Sequence, residues 1–310
     1  MMKIYKNAPH GIVLTDNIEK NCWIDLVKPS NEVMESLSEQ FEIPLEFLQA
    51  ALDIEEKSRI EVEEQIKLLI IDIPMIDNDM PEYEAYNTIP MAIIVTPDVI
   101  ITVCLQETSI LRALTDPKFK NLQLNYKTRF VFTILMRAST RFLTYLYRIE
   151  KTSTKIERQL NQTLKNEQLL QLLALSKSLT YFSASLKSTE ATVRKLLRGN
   201  IVKLYEEDRD LLDDVLIEIS QGVEMASSYS AILKATMETY SSVASNNLNV
   251  IMKVLAVITI VMAVPEIIFG FYGMNVLDLP LDHFFWFPIL ISVIGSAIIW
   301  IWIKKSKFYK

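Results

Sequence analysis

The sequence predicts an α+β domain that leads into long α-helices and closes on two C-terminal transmembrane helices. Three observations carry this. Short β-branched and aromatic runs mix with short helical patterns over residues 1–105, a stretch almost free of Gly and Pro begins near Thr108, and two long apolar runs lie close to the C-terminus. The first apolar run, Asn249 to Asn275, reads NVIMKVLAVITIVMAVPEIIFGFYGMN, and the second spans Phe284 to Ile303. At about 1.5 Å of rise per residue, each is long enough for a hydrocarbon layer of about 30 Å. Residues 1–248 therefore form a water-soluble domain, divided into an α/β part (1–105) and a part made of long helices (106–248). Residues 249–310 form a membrane domain with spans at about 250–272 and 284–303 and a basic tail at 304–310.

Within the α/β part, Gly11 to Thr15, Cys22 to Val27, Lys67 to Ile73, Met91 to Thr96 and Val99 to Leu105 read as strands. Thr96-Pro97-Asp98 reads as a hairpin turn, and Asn31 to Phe41 and Leu45 to Leu52 read as helices. Met75 to Tyr86 is an acidic loop with Asp77, Asp79, Glu82 and Glu84; it reads as a solvated connection, with metal binding as the alternative. Asn125 to Leu164 and Glu167 to Leu197 are long amphipathic patterns, the second stopped at Arg198-Gly199-Asn200. A third begins near Glu206 and carries Val215, Ile219, Val223, Ala226, Ser230, Leu233, Met237, Tyr240 and Ala244 in steps of three and four. No strong breaker interrupts it before Pro265, so one rod of about 90 Å runs on into the membrane. Its narrow apolar stripe needs cover from neighbours in the chain or from further copies.

The net charge of -6 includes the basic tail, so the remainder is more acidic still. Divalent cations suit such a surface and nucleic acid does not. Cys22 and Cys104 fit no metal or redox spacing and read as reduced, buried thiols. The start of the chain has no uninterrupted apolar core of signal-peptide length. Lys304, Lys305, Lys307 and Lys310 place the C-terminus in the cytoplasm, two passages return the N-terminus there, and the loop from about Met274 to His283 is left outside. His10 and His283 then lie in different compartments. No nucleophile–base set, phosphate loop or metal-ligand spacing points to an enzyme.

Tyr272-Gly273-Met274-Asn275, set between two C-terminal apolar segments, resembles the hallmark of the CorA family of magnesium channels. Asn249, Met252-Lys253 and Leu255 have family counterparts at the same distance upstream, and Pro265 recurs nearby. Weaker similarity reaches Trp23-Ile24-Asp25-Leu26 and Pro29. The resemblance implies a CorA-like funnel, a homopentamer in the cell membrane that transports Mg2+ and is gated by cytosolic Mg2+. Cobalt, nickel and zinc are the alternative cargoes. Gly273, Met274 and Asn275 would form the selectivity filter, and Asn249, Met252 and Leu255 would line the pore.

Steps of three and four residues back from Gly273 give Gly270, Glu266, Ala263, Thr259, Leu255, Met252 and Asn249. Such a face combines polar and small residues with an apolar neck that can close by dewetting. The competing reading is that this face packs on the second span. At the mouth, rings of Asn275 amide oxygens and Gly273 carbonyls suit an ion that sheds its water reluctantly, and neutral acceptors release it again. Asp278 and Asp282 in the outer loop either concentrate cations or serve as solvated turn residues.

Glu266 departs from the resemblance, because the family usually offers a neutral residue there. An ionisable side chain inside a span faces water or a partner, so Glu266 reads either as a cation-binding or proton-coupled ring or as a glutamate paired with a neighbouring helix. Asp214 matches the family's regulatory stalk aspartate; Asp213 stands beside it and Asp53, Glu55 or Glu56 can supply the acidic partner across a subunit seam. A solvated acidic patch is the plain alternative. From a different class altogether, the two spans could serve only as the anchor of a scaffold or sensor.

Overall fold

In the computed structural model the described residues are 1–9, 11–77, 83–116, 122–160, 166–198, 206–274 and 284–305. The apolar runs of the first hundred residues meet in one seven-stranded sheet. Its strands are β1 (Met2–Ala8), β2 (Gly11–Thr15), β3 (Trp23–Val27), β4 (Arg59–Glu63), β5 (Ile66–Ile76), β6 (Tyr86–Val95) and β7 (Ile100–Cys104), in the spatial order β2-β1-β3-β7-β6-β5-β4. Only β3 and β7 run parallel; the other neighbours are antiparallel.

β5 and β6 are longer than the sequence pattern suggests, because Pro74 and Pro90 lie inside them. The register explains how. β4 pairs with β5 only up to Ile70, and β7 pairs with β6 only from Met91. Each proline therefore stands where its strand has no neighbour on one side, and a missing N–H costs no ladder bond there. β1 and β4 were not among the expected strands. β4 is an edge strand whose Arg59, Glu61 and Glu63 hide the alternation behind charge, a common protection of an open edge.

Both faces of the sheet are covered, which is why its central strands read as nearly unbroken apolar runs. On one face lie α1 (Asn31–Phe41), α2 (Leu45–Gln49) and a single 3-10 turn, Ala50–Leu52. Met34, Leu37, Phe47 and Leu48 share a core there with Ile24, Leu26, Ile70, Ala92 and Ile101. After the single turn α3 (Ser109–Arg112), capped by the Thr108 hydroxyl accepting the Ile110 N–H at 3.2 Å, come α4 (Lys127–Leu160) and α5 (Asn166–Arg198) on the other face. Phe130 of α4 packs on Trp23 with ring centroids 5.2 Å apart, and Phe182 of α5 lies 6.1 Å from Tyr86. The expected turn at Thr96-Pro97-Asp98 forms, with the Thr96 hydroxyl accepting the Val99 N–H at 2.9 Å. In the acidic loop, Glu84 accepts from Tyr86 at 2.6 Å and from Thr152 at 2.9 Å, while Asp79 and Glu82 lie outside the described residues.

α6 runs from Glu206 to Tyr272 without a break, through Pro265, and α7 spans Trp286–Lys305. The chain divides into two compact units, Met1–Met237 and Glu238–Lys310, so the boundary falls inside α6. In the first unit the stripe of α6 is covered by its own chain. Val215, Ile219, Ala226 and Leu233 are buried as the spacing predicts, while Leu212 and Gly222 join them and Val223 and Ser230 are only half-buried. Gly222 draws the helices together: a Cβ there would stand 3.1 Å from Leu186 of α5 and 3.6 Å from Leu143 of α4. After Leu233, no residue of α6 is buried.

A polar network crosses the core where β3 meets β7. Trp23 Nε1 donates to Thr102 Oγ1 at 2.9 Å, and that hydroxyl donates to Asp25 Oδ1 at 2.9 Å. Burial pushes the Asp25 carboxyl up from its ordinary range, and the Thr102 bond opposes the push. A folded carboxyl that holds its proton more readily than the unfolded one weakens the fold above the carboxylate range and stops doing so as pH falls through it. Thr102→Val removes the opposing donor and orphans the indole N–H. It is expected to lower stability by about 1–3 kcal/mol near pH 7. The deficit should shrink near about pH 4, as followed by thermal unfolding of the full chain in detergent.

Candidate functional site: the paired apolar helices

The most apolar part of α6 and the whole of α7 are each long enough to cross a membrane, and none of the most apolar 18 residues of α6 is buried within the chain. Phe284, Phe285 and Trp286 stand at one end of α7, Trp300 and Trp302 at the other, and Lys304 Nζ lies 5.0 Å over the Trp300 ring. Aromatic rings at both ends, with lysines beyond one of them, suit the two interfaces of a bilayer.

Pro265 sets how the two helices meet. It has no N–H to give the Val261 carbonyl four residues earlier, and an unmet carbonyl is expensive in hydrocarbon. Ser296 of α7 supplies the donor, its Oγ lying 3.4 Å from that carbonyl. Gly295 next to it brings α7 close, since a Cβ at that position would stand 2.9 Å from Val264 Cγ1. Nearer the end of α6, the Tyr272 and Phe287 rings meet edge to face at 6.3 Å. Ser292 and Ile303 are buried on α7 and share this side with Gly295 and Ser296 by steps of three, four and seven. The sequence reading missed Gly295 and Ser296. The available signal was a pair of adjacent small residues inside an otherwise bulky apolar run, which marks close helix packing in membranes.

These contacts fix which side of α6 meets α7. At about 100° per residue, Val261, Val264 and Tyr272 fall on one side of α6 and the Thr259, Glu266 and Gly270 set on the opposite side. Asn249, Met252, Leu255, Thr259, Glu266, Gly270 and Gly273 are exposed and Ala263 is half-buried; Met252 and Leu255 are 62% and 54% exposed. The second span does not cover this face. Its polar members do not serve the contact with α7.

At the end of α6 the Gly273 N–H bonds the Phe269 carbonyl at 2.9 Å. A Cβ on Gly273 would stand 3.0 Å from that same oxygen, so a side chain is resisted by backbone here. Met274 is exposed, and Asn275, Asp278, Asp282 and His283 lie outside the described residues. Asp213 and Asp214 are exposed on α6, next to the buried Leu212 and Val215. Asp53 is also exposed; it follows the 3-10 turn and its Oδ1 accepts the Glu55 N–H at 3.0 Å. Among the described residues no three His, Cys, Asp or Glu of one chain converge on a point, and the expected pairing of Asp53 with Asp214 is one between copies.

A sheet domain, a helix that continues from it into an apolar segment, and one further span define an integral membrane protein with two C-terminal helices. Residues 19–305 match the model of the CorA-like Mg2+ transporter protein family, and the chain belongs to that family. Over 279 residues it is 27% identical to the cobalt/magnesium transport protein CorA of Methanocaldococcus jannaschii, covering 88% of this chain and 86% of the relative. Over 304 residues it is 23% identical to the protein of the same name from Thermotoga maritima, covering 92% and 83%. The complete structure of the Methanocaldococcus CorA magnesium transporter superposes with a TM-score of 0.83 at 24% identity, covering 99% of this chain and 98% of that one. The full-length CmaX protein shares the fold with a TM-score of 0.74 at 16% identity, covering 98% and 96%.

The Pro265–Ser296 seat has a direct test. Gly295→Val is expected to force α7 away from Val264 and lower the melting temperature of the detergent-solubilised protein by several degrees. Ser296→Ala should cost less, about 1 kcal/mol, because it removes one hydrogen bond without adding bulk. Equal melting temperatures for wild type and Gly295→Val would show that the close approach contributes nothing.

Proposed function

We propose that several copies of this chain, five as the family resemblance implies, surround an aqueous path and conduct divalent cations across the cell membrane, with Mg2+ the principal cargo and Co2+ the second. The observation that carries this reading is the uncovered face of α6. α7 seats on the opposite side, so the face bearing Asn249, Met252, Leu255, Thr259, Ala263, Glu266, Gly270 and Gly273 is left for water or for further copies. Both named relatives are cobalt/magnesium transport proteins, which supports the choice of cargo.

Met252 and Leu255 form the apolar neck that closes by losing water. Gly273, Met274 and Asn275 form the mouth, where neutral oxygens hold a hydrated ion through its water shell and let it go. Both termini lie in the cytoplasm, as the lysine cluster after the second span requires. Cytosolic Mg2+ bound by Asp214 with Asp213 on one copy and Asp53 on the next draws the copies together and biases the path toward closure. A ligand shifts such an equilibrium only by the difference in its affinity for the two states, and a seam of like charges that a cation bridges supplies that difference.

Liposomes holding the purified protein are expected to take up Mg2+ and Co2+ under an inward gradient. Gly273→Ala and Asn275→Ala should each reduce uptake by about tenfold or more, since either change strips or displaces acceptors worth at least 1.4 kcal/mol. Uptake that ignores both substitutions would sink the channel reading and leave a two-helix anchor.

A further inference from the structure

Glu266 has no counterpart in the chemistry of the mouth or the neck. It is the sole acidic side chain between Glu238 and Met274, and it stands in the apolar part of α6. A carboxylate at membrane depth costs several kcal/mol unless water, a cation or a donor meets it. α7 offers no charged group from Trp286 to Ile303. It also lies on the wrong side: Val264 carries the close contact with Gly295, and Glu266, two residues further, points about 200° away around the helix. The pairing with a neighbouring span of the same chain is therefore not available, and Glu266 is exposed on the face with Thr259 and Gly270.

Resting on the channel reading, we propose that Glu266 is a specificity-determining residue, whose carboxylate from each copy faces the conduction path and forms a charged site for a hydrated divalent cation. At 1.5 Å per residue the site sits about 10 Å along the helix from Gly273 and about 16 Å from Leu255, between mouth and neck. A hydrated Mg2+ fits it, because that ion keeps most of its waters and is held through one or two carboxylates. The negative ring raises the local cation concentration and excludes anions, and the ion relieves the repulsion between carboxylates whose nearest basic side chain on α6, Lys253, lies about 20 Å away along the helix. A neutral mouth thus selects the hydrated ion, and a charged site behind it gathers divalent ions at low concentration.

The test uses the full chain in liposomes. In Glu266→Gln the Mg2+ concentration for half-maximal uptake is expected to rise about tenfold, the loss of one charge-assisted contact, while Glu266→Asp keeps most of the wild-type affinity. In a second arm, Glu266→Cys and Val264→Cys are exposed to a positively charged, water-soluble methanethiosulfonate; Cys22 and Cys104 are buried and give little background. Cysteine at 266 should be modified, more slowly when Mg2+ is present, and cysteine at 264 should not. Unchanged half-saturation in Glu266→Gln, or a cysteine at 266 that no aqueous reagent reaches, overturns the proposal while wild-type transport and its dependence on Gly273 stand. Should Glu266→Gln carry no ions at all, the labelling of Glu266→Cys decides alone.

Discussion

A helix in hydrocarbon must satisfy its own backbone, and Pro265 breaks that rule once. The organisation of the membrane unit follows from the repair. Ser296 reaches the Val261 carbonyl, Gly295 removes the bulk that would keep α7 away, and the two spans meet on one side of α6. Because one side is taken, the other is left exposed, and it is the side that carries Thr259, Glu266 and Gly270.

α6 joins two physical regimes in one uninterrupted helix. Up to Leu233 its apolar residues are buried against its own chain, with Gly222 admitting Leu186 and Leu143, so this half derives its stability from the core of the first unit. From there to Tyr272 nothing is buried within the chain. Lipid and the second span are left to cover it.

Much of the fold was legible from residue patterns, and the failures have identifiable causes. The strands at Gly11–Thr15 and Trp23–Val27 and the helix at Asn31–Phe41 coincide with the runs that suggested them. β5 and β6 were read too short because Pro74 and Pro90 look like terminators until the register shows them beside an unpaired edge. β4 was missed because an edge strand dressed in Arg and Glu has the composition of a loop. Of the membrane helices, the shared face from Asn249 to Gly270 was readable from helical spacing and is exposed in the structure, whereas the contact residues Gly295 and Ser296 were not.

The sequence by itself determined that the chain enters a membrane twice near its C-terminus, that a long helix precedes and includes the first span, and that a carboxylate stands inside that span. Hydropathy and helical period are properties of consecutive residues and need no partner to be read. Only the tertiary structure decided which side of α6 is covered. Hydrocarbon rewards apolar side chains on every side, so their distribution does not betray which neighbour covers the helix, and the choice rests on one orphaned carbonyl, one hydroxyl and one absent side chain, brought together from positions some thirty residues apart.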